Sequence, residues 1–212
     1  MRFRTLAVVA LGFTAACAGN RPTPSHMGPE AAMARARADS LRYPYTAADI
    51  EFMSGMIHHH AQAIQISKWA PSHAASPAIV RLTERIINAQ RDEINLMGTW
   101  LKDRNQPVPD ADTTGAVSHG AMSHGGHTMA MMPGMLTTEQ LAQLDAARSG
   151  EFDRLFLTFM IQHHRGAVDM VKSLFSSRGA GQDETIFKFA SDVETDQTTE
   201  INRMLQMLLE LP

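Results

Sequence analysis

One pattern of residues occurs twice in this chain of 212 residues, and this repeat constrains the fold more than any other feature. Asp-x-x-Phe-x-x-x-Met-Ile-x-His-His-x-x-Ala spans residues 49–63 and recurs at 153–167. Each copy is followed by an apolar pattern that ends in Gln-x-x-Glu-Ile-x-x-Met, over 79–97 and 186–204. An internal repeat defines an architecture before helix propensity is considered. The polar residues repeat as well, which packing alone does not require.

Apolar residues recur with a helical period in all four segments, and no alternating strand pattern occurs in the sequence. Each repeat is therefore a helical hairpin, and two hairpins predict an all-α, ferritin-like four-helix bundle. Capping residues and prolines mark the ends of the helices, as at Ser76-Pro77. The predicted helices, long ones first, cover about 46–70, 76–104, 150–177, 183–211, 30–41 and 138–148.

The N-terminus is typical of an export signal. Arg2 and Arg4 precede an apolar run and a small-residue cleavage zone, and the run is too short to span a bilayer permanently. Cys17 is the only cysteine, lies where a lipoprotein cysteine would lie, and has no partner for an internal disulfide. We therefore expect an exported protein, either periplasmic or anchored to the membrane by a lipid on Cys17. Ordinary cleavage after Ala18 is the alternative.

These features divide the chain into five segments. Residues 1–16 form the signal peptide, 17–45 a linker with a short helix, and 46–104 the first hairpin. A Met/His-rich loop follows over 105–136, and residues 137–212 form a short helix and the second hairpin. The net charge is −3 and becomes about −5 once the signal peptide is removed. Because no basic patch is present, nucleic acid is excluded as a partner; the formation of a homo-oligomer stays open.

The doubled histidines are the first candidate site. Helical geometry places His59 and His163 in the middle of the apolar stripes and His60 and His164 at their edges. A buried carboxylate without a partner is very costly, so the two Gln-x-x-Glu motifs are expected to bond these histidines. Two interpretations stay open. The histidines form a satisfied polar network, or they bind copper together with the methionine one turn earlier in each helix.

The loop between the hairpins is the second candidate site, and it indicates metal more strongly. A Gly/Ser-rich segment has no core to fill, so packing does not explain its methionines, and His-rich tracts of this kind are typical of metal binding. A disordered linker with an accidental bias is the alternative. Without thiolates, a Met/His set suits Cu(I), and Ag(I) by similarity, better than structural zinc. The candidate ligands are His119, Met122, His124, His127, Met129, Met131, Met132 and Met135.

Enzymatic activity is not expected. A ferritin-like di-iron site needs more carboxylates than the repeats contain, and it needs Glu-x-x-His motifs that they lack. No Ser or Cys nucleophile motif accompanies the histidines. A ferritin-like oxidase is kept only as a third alternative.

At these residues the chain resembles an exported bacterial family, domain of unknown function 305. The resemblance covers about 46–104 and 151–211 and implies a ferritin-like bundle of two hairpins. Some members are periplasmic or secreted copper-binding proteins that use Met and His ligands and contribute to copper tolerance. It implies supporting core roles for Gln90, Glu93, Gln197 and Glu200, and it implies ligands at Met56, His59, His60, Met160, His163 and His164.

The two repeats do not match throughout. Gln62 in the first corresponds to Gly166 in the second, and Ile66 to Met170. We predict a cell-envelope protein that sequesters or transfers copper and contributes to metal tolerance or homeostasis. The alternative is a structural or interaction lipoprotein whose buried His/Glu/Gln network binds no metal.

Overall fold

The computed structural model describes residues 31, 33–35, 45–111 and 132–211. Within these ranges the protein is all-α, which confirms the predicted class; residues 31 and 33–35 are helical as well. The predicted signal peptide, Cys17 and most of the Met/His-rich loop lie outside the described residues. The helices are α1 (Ala47–Ser67), α2 (Ala70–His73), α3 (Pro77–Asp103), α4 (Thr138–Ala146), α5 (Ser149–Ser176) and α6 (Glu184–Glu210).

The helices begin at capping residues that the sequence displays. The Thr46 side chain accepts from the Asp49 backbone N–H at the start of α1, and Asp49 bonds back to Thr46. Ser76 caps α3, whose first residue is a proline. The expected end of the first helix near residue 70 is wrong. This helix stops at Ser67, and Pro71 lies in the first turn of α2, where a missing N–H costs nothing.

The long helices pack in pairs. Helix α1 contacts α3, α5 contacts α6, and α1 and α5 contact each other. Helices α1 and α5 are antiparallel, because Gly55 lies beside Met170 while Ala63 shares an apolar cluster with Met160. Two apolar clusters fill the core, and the doubled histidines lie between them. One cluster contains Ala63, Ile79, Met160 and Met204; the other contains Met56, Met97, Ala167 and Ile186.

The first aspartate of each repeat binds a turn of the other hairpin. Asp49 Oδ1 accepts from the Gly181 backbone N–H at 2.7 Å, in the turn between α5 and α6. Asp153 accepts from the backbone N–H groups of Ala75 and Ser76 at 3.2 and 2.9 Å, in the turn before α3. Buried carboxylates of this kind require donors, and here the donors come from the opposite hairpin. The two carboxylates therefore fix the hairpins against each other and set the register in which α1 meets α5.

No helix in the described part of the chain combines the length and the apolar character needed to cross a membrane.

Candidate metal centre

The four repeated histidines meet where α1 crosses α5. His59, His60, His163 and His164 are all completely buried, with an exposed fraction of 0%. The ring centroids of His59 and His163 are 3.8 Å apart. The centroid of His60 lies 6.5 Å from that of His59 in α1, and the centroid of His164 lies 6.4 Å from that of His163 in α5. The antiparallel crossing thus joins the two His-His motifs into one continuous group, here called the four-histidine cluster.

The outer two rings contact carboxylates of their own hairpins. The Nε2 atom of His60 lies 2.7 Å from Glu93 Oε2, and that of His164 lies 2.7 Å from Glu200 Oε2. The His164 contact is a well-aligned hydrogen bond, whereas His60 approaches Glu93 with poorer alignment. The expected His–Glu partnership is therefore confirmed for these two rings. Because a carboxylate accepts, each contact places the proton on Nε2 and turns the other ring nitrogen away from Glu.

The inner rings have no carboxylate. His59 Nε2 donates to the backbone carbonyl of Pro133 at 3.0 Å. Burial lowers the pKa of His59 to about 3, with neighbouring His60 acting in the same direction and the Pro133 carbonyl opposing it. Burial, followed by the nearby His59, also lowers the pKa of His163 well below its usual value. Both rings are therefore neutral at neutral pH, which is the form in which imidazole binds a metal.

Several ring nitrogens in the cluster have no hydrogen-bond partner among the described residues. Buried polar atoms nearly always have one, so each exception calls for an explanation such as an absent ion or water. Since His59 is neutral and donates through Nε2, its Nδ1 atom carries a free lone pair. This donor set fits a metal that prefers neutral imidazole. The unpartnered atoms are the Nδ1 atoms of His59, His60 and His164, both ring nitrogens of His163, and His60 Nε2, whose 2.7 Å contact with Glu93 lacks the alignment of a hydrogen bond.

Carboxylates do not complete a conventional site. In the described ranges, no three His, Cys, Asp or Glu side chains are arranged to hold one ion. These positions would therefore offer a metal at most two such ligands at once, unless the side chains moved on binding. Thioethers are the other soft ligands that the chain offers.

The two helical methionines are not brought together. Met56 and Met160 are both completely buried, one turn before the histidines of their helices. Met56 packs in the cluster with Met97 and Ala167, whereas Met160 packs in the one with Ala63. Packing accounts for both residues, since Met fills irregular core space well. Met56 and Met160 therefore belong to different apolar clusters, and the four-histidine cluster lies between these two.

Of the predicted loop ligands, two fall within the described residues. The sulfur of Met132 lies beside α1, 3.5 Å from where a Cβ on Gly55 would be. Met135 is buried, with 8% of its surface exposed. The others, His119, Met122, His124, His127, Met129 and Met131, lie outside the described residues.

A feature that the sequence did not suggest is the segment of residues 132–136, which crosses the cluster and is here called the strap. Gln62 holds its end: the side-chain Oε1 accepts from the Leu136 N–H at 2.8 Å, and Nε2 donates to the Leu136 carbonyl at 3.1 Å. A Cβ on Gly166 would lie only 2.0 Å from the Pro133 carbonyl oxygen. The sequence did contain one sign of the strap, namely that Gln62 in the first repeat corresponds to Gly166 in the second. The two equivalent positions differ because Gln62 binds the strap, whereas Gly166 leaves room for it.

The model of a family described as a domain of unknown function, DUF305, matches residues 49–208. The chain belongs to the DUF305 family. A DUF305 protein of Streptomyces coelicolor that is named as secreted has a solved structure with 26% sequence identity and a TM-score of 0.63. The match covers 77% of this chain and 93% of that one.

Another solved relative of this DUF305 protein is CopM in its Cu(II)-bound form, which is 29% identical, with a TM-score of 0.58. The match covers 76% of this chain and 96% of CopM. CopM has also been solved with Cu(I), with Ag and without metal. The uncharacterized protein L153 of Acanthamoeba polyphaga mimivirus is 41% identical over 56 residues, which is 26% of this chain and 37% of the viral protein.

Acid is expected to destabilise this protein through its inner histidines. The pKa of His59 is about 3 in the folded state and 6.5 in the unfolded chain, so below pH 6.5 the unfolded state binds more protons. The contribution of His59 to stability is therefore fully present above pH 6.5 and is lost as the pH falls below this value. His59 alone removes about 2 kcal/mol by about pH 5, and His163 acts in the same direction. Urea unfolding of the metal-free protein across this range measures the effect.

The control is the double variant His59→Leu/His163→Leu, which removes both titrating rings and keeps a similar volume. Its free energy of unfolding should depend less steeply on pH between 6.5 and 5. An unchanged slope would show that other groups cause the acid sensitivity.

Proposed function

We propose that this DUF305 protein binds copper, as Cu(I), at the four-histidine cluster and in its Met/His-rich loop, and that it sequesters or transfers the metal in the cell envelope without catalysing a reaction. The observation that carries the proposal is the group of buried, unpartnered ring nitrogens around His59 and His163. Both rings are held neutral by burial, which lowers the pKa of each. A metal binds them without having to displace a proton.

The surroundings of the cluster suit a soft cation. Glu93 and Glu200 hold the Nε2 atoms of the outer rings, so they orient these rings and increase the basicity of the opposite nitrogen. Their two negative charges also offset the charge of a bound ion. Thioethers from Met56, Met160 or the strap supply further soft ligands. In an oxidising compartment, which we propose from the signal sequence, thioethers are not lost to disulfide formation as cysteines are.

Similarity to CopM supports the choice of metal. CopM has been solved with Cu(I), Cu(II) and Ag, and 76% of this chain matches its structure. The two His-His motifs and the Met-rich loop give this chain the imidazole and thioether ligands that Cu(I) and Ag(I) favour.

A second candidate function is a structural module that binds no metal. The contacts of His60 with Glu93 and of His164 with Glu200 favour it, because each already gives one ring nitrogen of an outer histidine a carboxylate partner. In that case the cluster fixes the register of α1 against α5, as buried polar groups do in some helical bundles.

Thermal unfolding of the metal-free chain, without its predicted signal peptide, separates the two functions. A ligand that binds only the native state raises stability by about 2.7 kcal/mol when its concentration is a hundred times its Kd. We expect Cu(I) and Ag(I) to raise the Tm, and Zn(II) to raise it much less. The shift should persist when residues 119–131 are deleted, because the helical cluster remains. A Tm that responds to neither Cu(I) nor Ag(I) would support the structural module instead.

A further inference from the structure

The strap of residues 132–136 covers the inner histidines through contacts with α1 and α5, whereas Glu93 and Glu200 lie in α3 and α6. Pro133 accepts the hydrogen bond of His59, and Met135 and Leu136 are buried, with 8% and 4% of their surfaces exposed. Both His59 and His163 have no exposed surface beneath it. An ion that approaches from the strap's side therefore meets residues 132–136 before it meets the two rings.

Gln62 is the residue that holds the strap down. It lies in α1, one turn after His59, and is itself 7% exposed. Its amide satisfies both the N–H and the carbonyl of Leu136, as a neighbouring β-strand would. Removing this side chain leaves two buried backbone groups unpaired, and each such group costs the free energy of its desolvation.

Apart from the bond of His59 to Pro133, the rest of the strap is held by longer hydrogen bonds and steric contacts. Gln162 donates to the Gly134 carbonyl at the longer distance of 3.3 Å. At Gly166 the strap approaches the backbone of α5 so closely that no side chain fits between them. His163 makes no hydrogen bond with the strap. Release of Leu136 from Gln62 therefore frees the strap at its C-terminal end. The hydrogen bond of His59 to Pro133 is then the next one to break.

The strap also carries two of the predicted soft ligands. The sulfur of Met132 lies against α1 beside Gly55. Met135 is buried, and it directly precedes Leu136, the residue that Gln62 binds. When a segment that carries these thioethers and covers the inner histidines lifts, it exposes imidazoles and thioethers together.

We propose that the strap gates the four-histidine cluster, that Gln62 is the positioning residue that keeps it closed, and that copper enters and leaves the cluster when Leu136 separates from Gln62. This inference rests on the proposed function. It adds to that function a path for the metal and a residue that controls the rate of exchange.

The test compares Gln62→Ala with Gln143→Ala, an exposed glutamine of α4, in the chain that lacks only its predicted signal peptide. Cu(I) is loaded anaerobically, and its transfer to a chromophoric chelator is followed by stopped flow. We expect Gln62→Ala to release Cu(I) at least about tenfold faster, which corresponds to about 1.4 kcal/mol. Gln143→Ala should match the unmodified chain, and all three should bind the same number of ions.

Amide hydrogen exchange of the metal-free protein gives an independent readout. The Leu136 amide should exchange about tenfold faster in Gln62→Ala, while the core amides of α5 keep their protection. If Gln62→Ala folds poorly, Gln62→Leu keeps most of the side-chain volume and removes the same hydrogen bonds.

The two measurements distinguish a failure of the gate from a failure of the proposed function. Unchanged Leu136 exchange would show that Gln62 does not hold the strap. Faster Leu136 exchange with an unchanged release rate would show that copper takes a path that avoids the strap. Absence of Cu(I) from the cluster in every variant would overturn the proposed function and the gate together, whereas the exchange data would still report on the strap.

Discussion

Gly166→Ala is expected to cost about 3 kcal/mol or more of unfolding free energy. The added Cβ would lie 2.0 Å from the Pro133 carbonyl oxygen and 2.6 Å from the Gly134 Cα atom. Both are backbone atoms, so no side-chain rotation relieves the clash. The strap must leave α5, and it then loses the His59 contact, the bonds of Gln62 to Leu136 and the burial of Met135. Urea unfolding monitored by circular dichroism measures the loss.

The matched control is Gly150→Ala in the same helix. A Cβ on Gly150 would meet nothing within 4 Å, so only helix propensity changes there. Alanine is favoured over glycine inside a helix by about 1 kcal/mol, and less near its first turn. We therefore expect Gly150→Ala to be neutral or slightly stabilising. Equal stability of the two alanine variants would mean that the strap does not lie on Gly166.

Much of the fold could be predicted because the repeat identifies equivalent segments. Helical periodicity located the four long helices, and capping residues such as Thr46 and Ser76 located two of their starts. The end of the first helix was harder. Pro71 is a strong helix-breaking signal, yet proline is tolerated in a first turn, and the chain uses it to start α2 instead.

The candidate site was predictable only within each hairpin. Helical angles placed His60 and His164 within reach of the Gln-x-x-Glu motifs, and the structure has both contacts. Helical angles could not show that the rings of His59 and His163 contact each other, because that contact depends on the register between α1 and α5. This register is set by Asp49 and Asp153, whose partners are backbone N–H groups of distant turns. Backbone donors leave no sequence pattern, so such contacts are invisible before the structure.

The strap was missed for a related reason. Its contacts are made by the backbone of Pro133, Gly134 and Leu136, whose side chains show no polar pattern. The difference between Gln62 and its equivalent, Gly166, pointed to the position of the strap, but only the structure shows that the two residues have complementary roles. One binds the strap and the other leaves room for it.

The second large effect concerns metal binding by the inner rings. His59→Leu/His163→Leu replaces two imidazoles by apolar side chains of similar volume. It removes three buried nitrogens that have no partner among the described residues, and with them the hydrogen bond from His59 Nε2 to the Pro133 carbonyl. Replacing unpartnered polar groups by apolar ones is close to neutral for stability, whereas the lost bond to Pro133 costs about 1 kcal/mol. We therefore expect the variant to stay folded and to lose no more than about 2 kcal/mol of unfolding free energy. It should nevertheless lose the metal site of the cluster, because its Nδ1 lone pairs are gone. Loss of binding with a retained fold separates a ligand role from a structural one.

The most direct measurement is therefore Cu(I) stoichiometry by competition with a chromophoric chelator, in the chain that lacks residues 119–131. Deleting these residues removes most loop ligands and leaves the cluster and the strap in place. We expect about one Cu(I) ion per chain for this deletion, and none when His59→Leu/His163→Leu is added. An equal count with and without the two histidines would contradict it and assign copper binding to other residues.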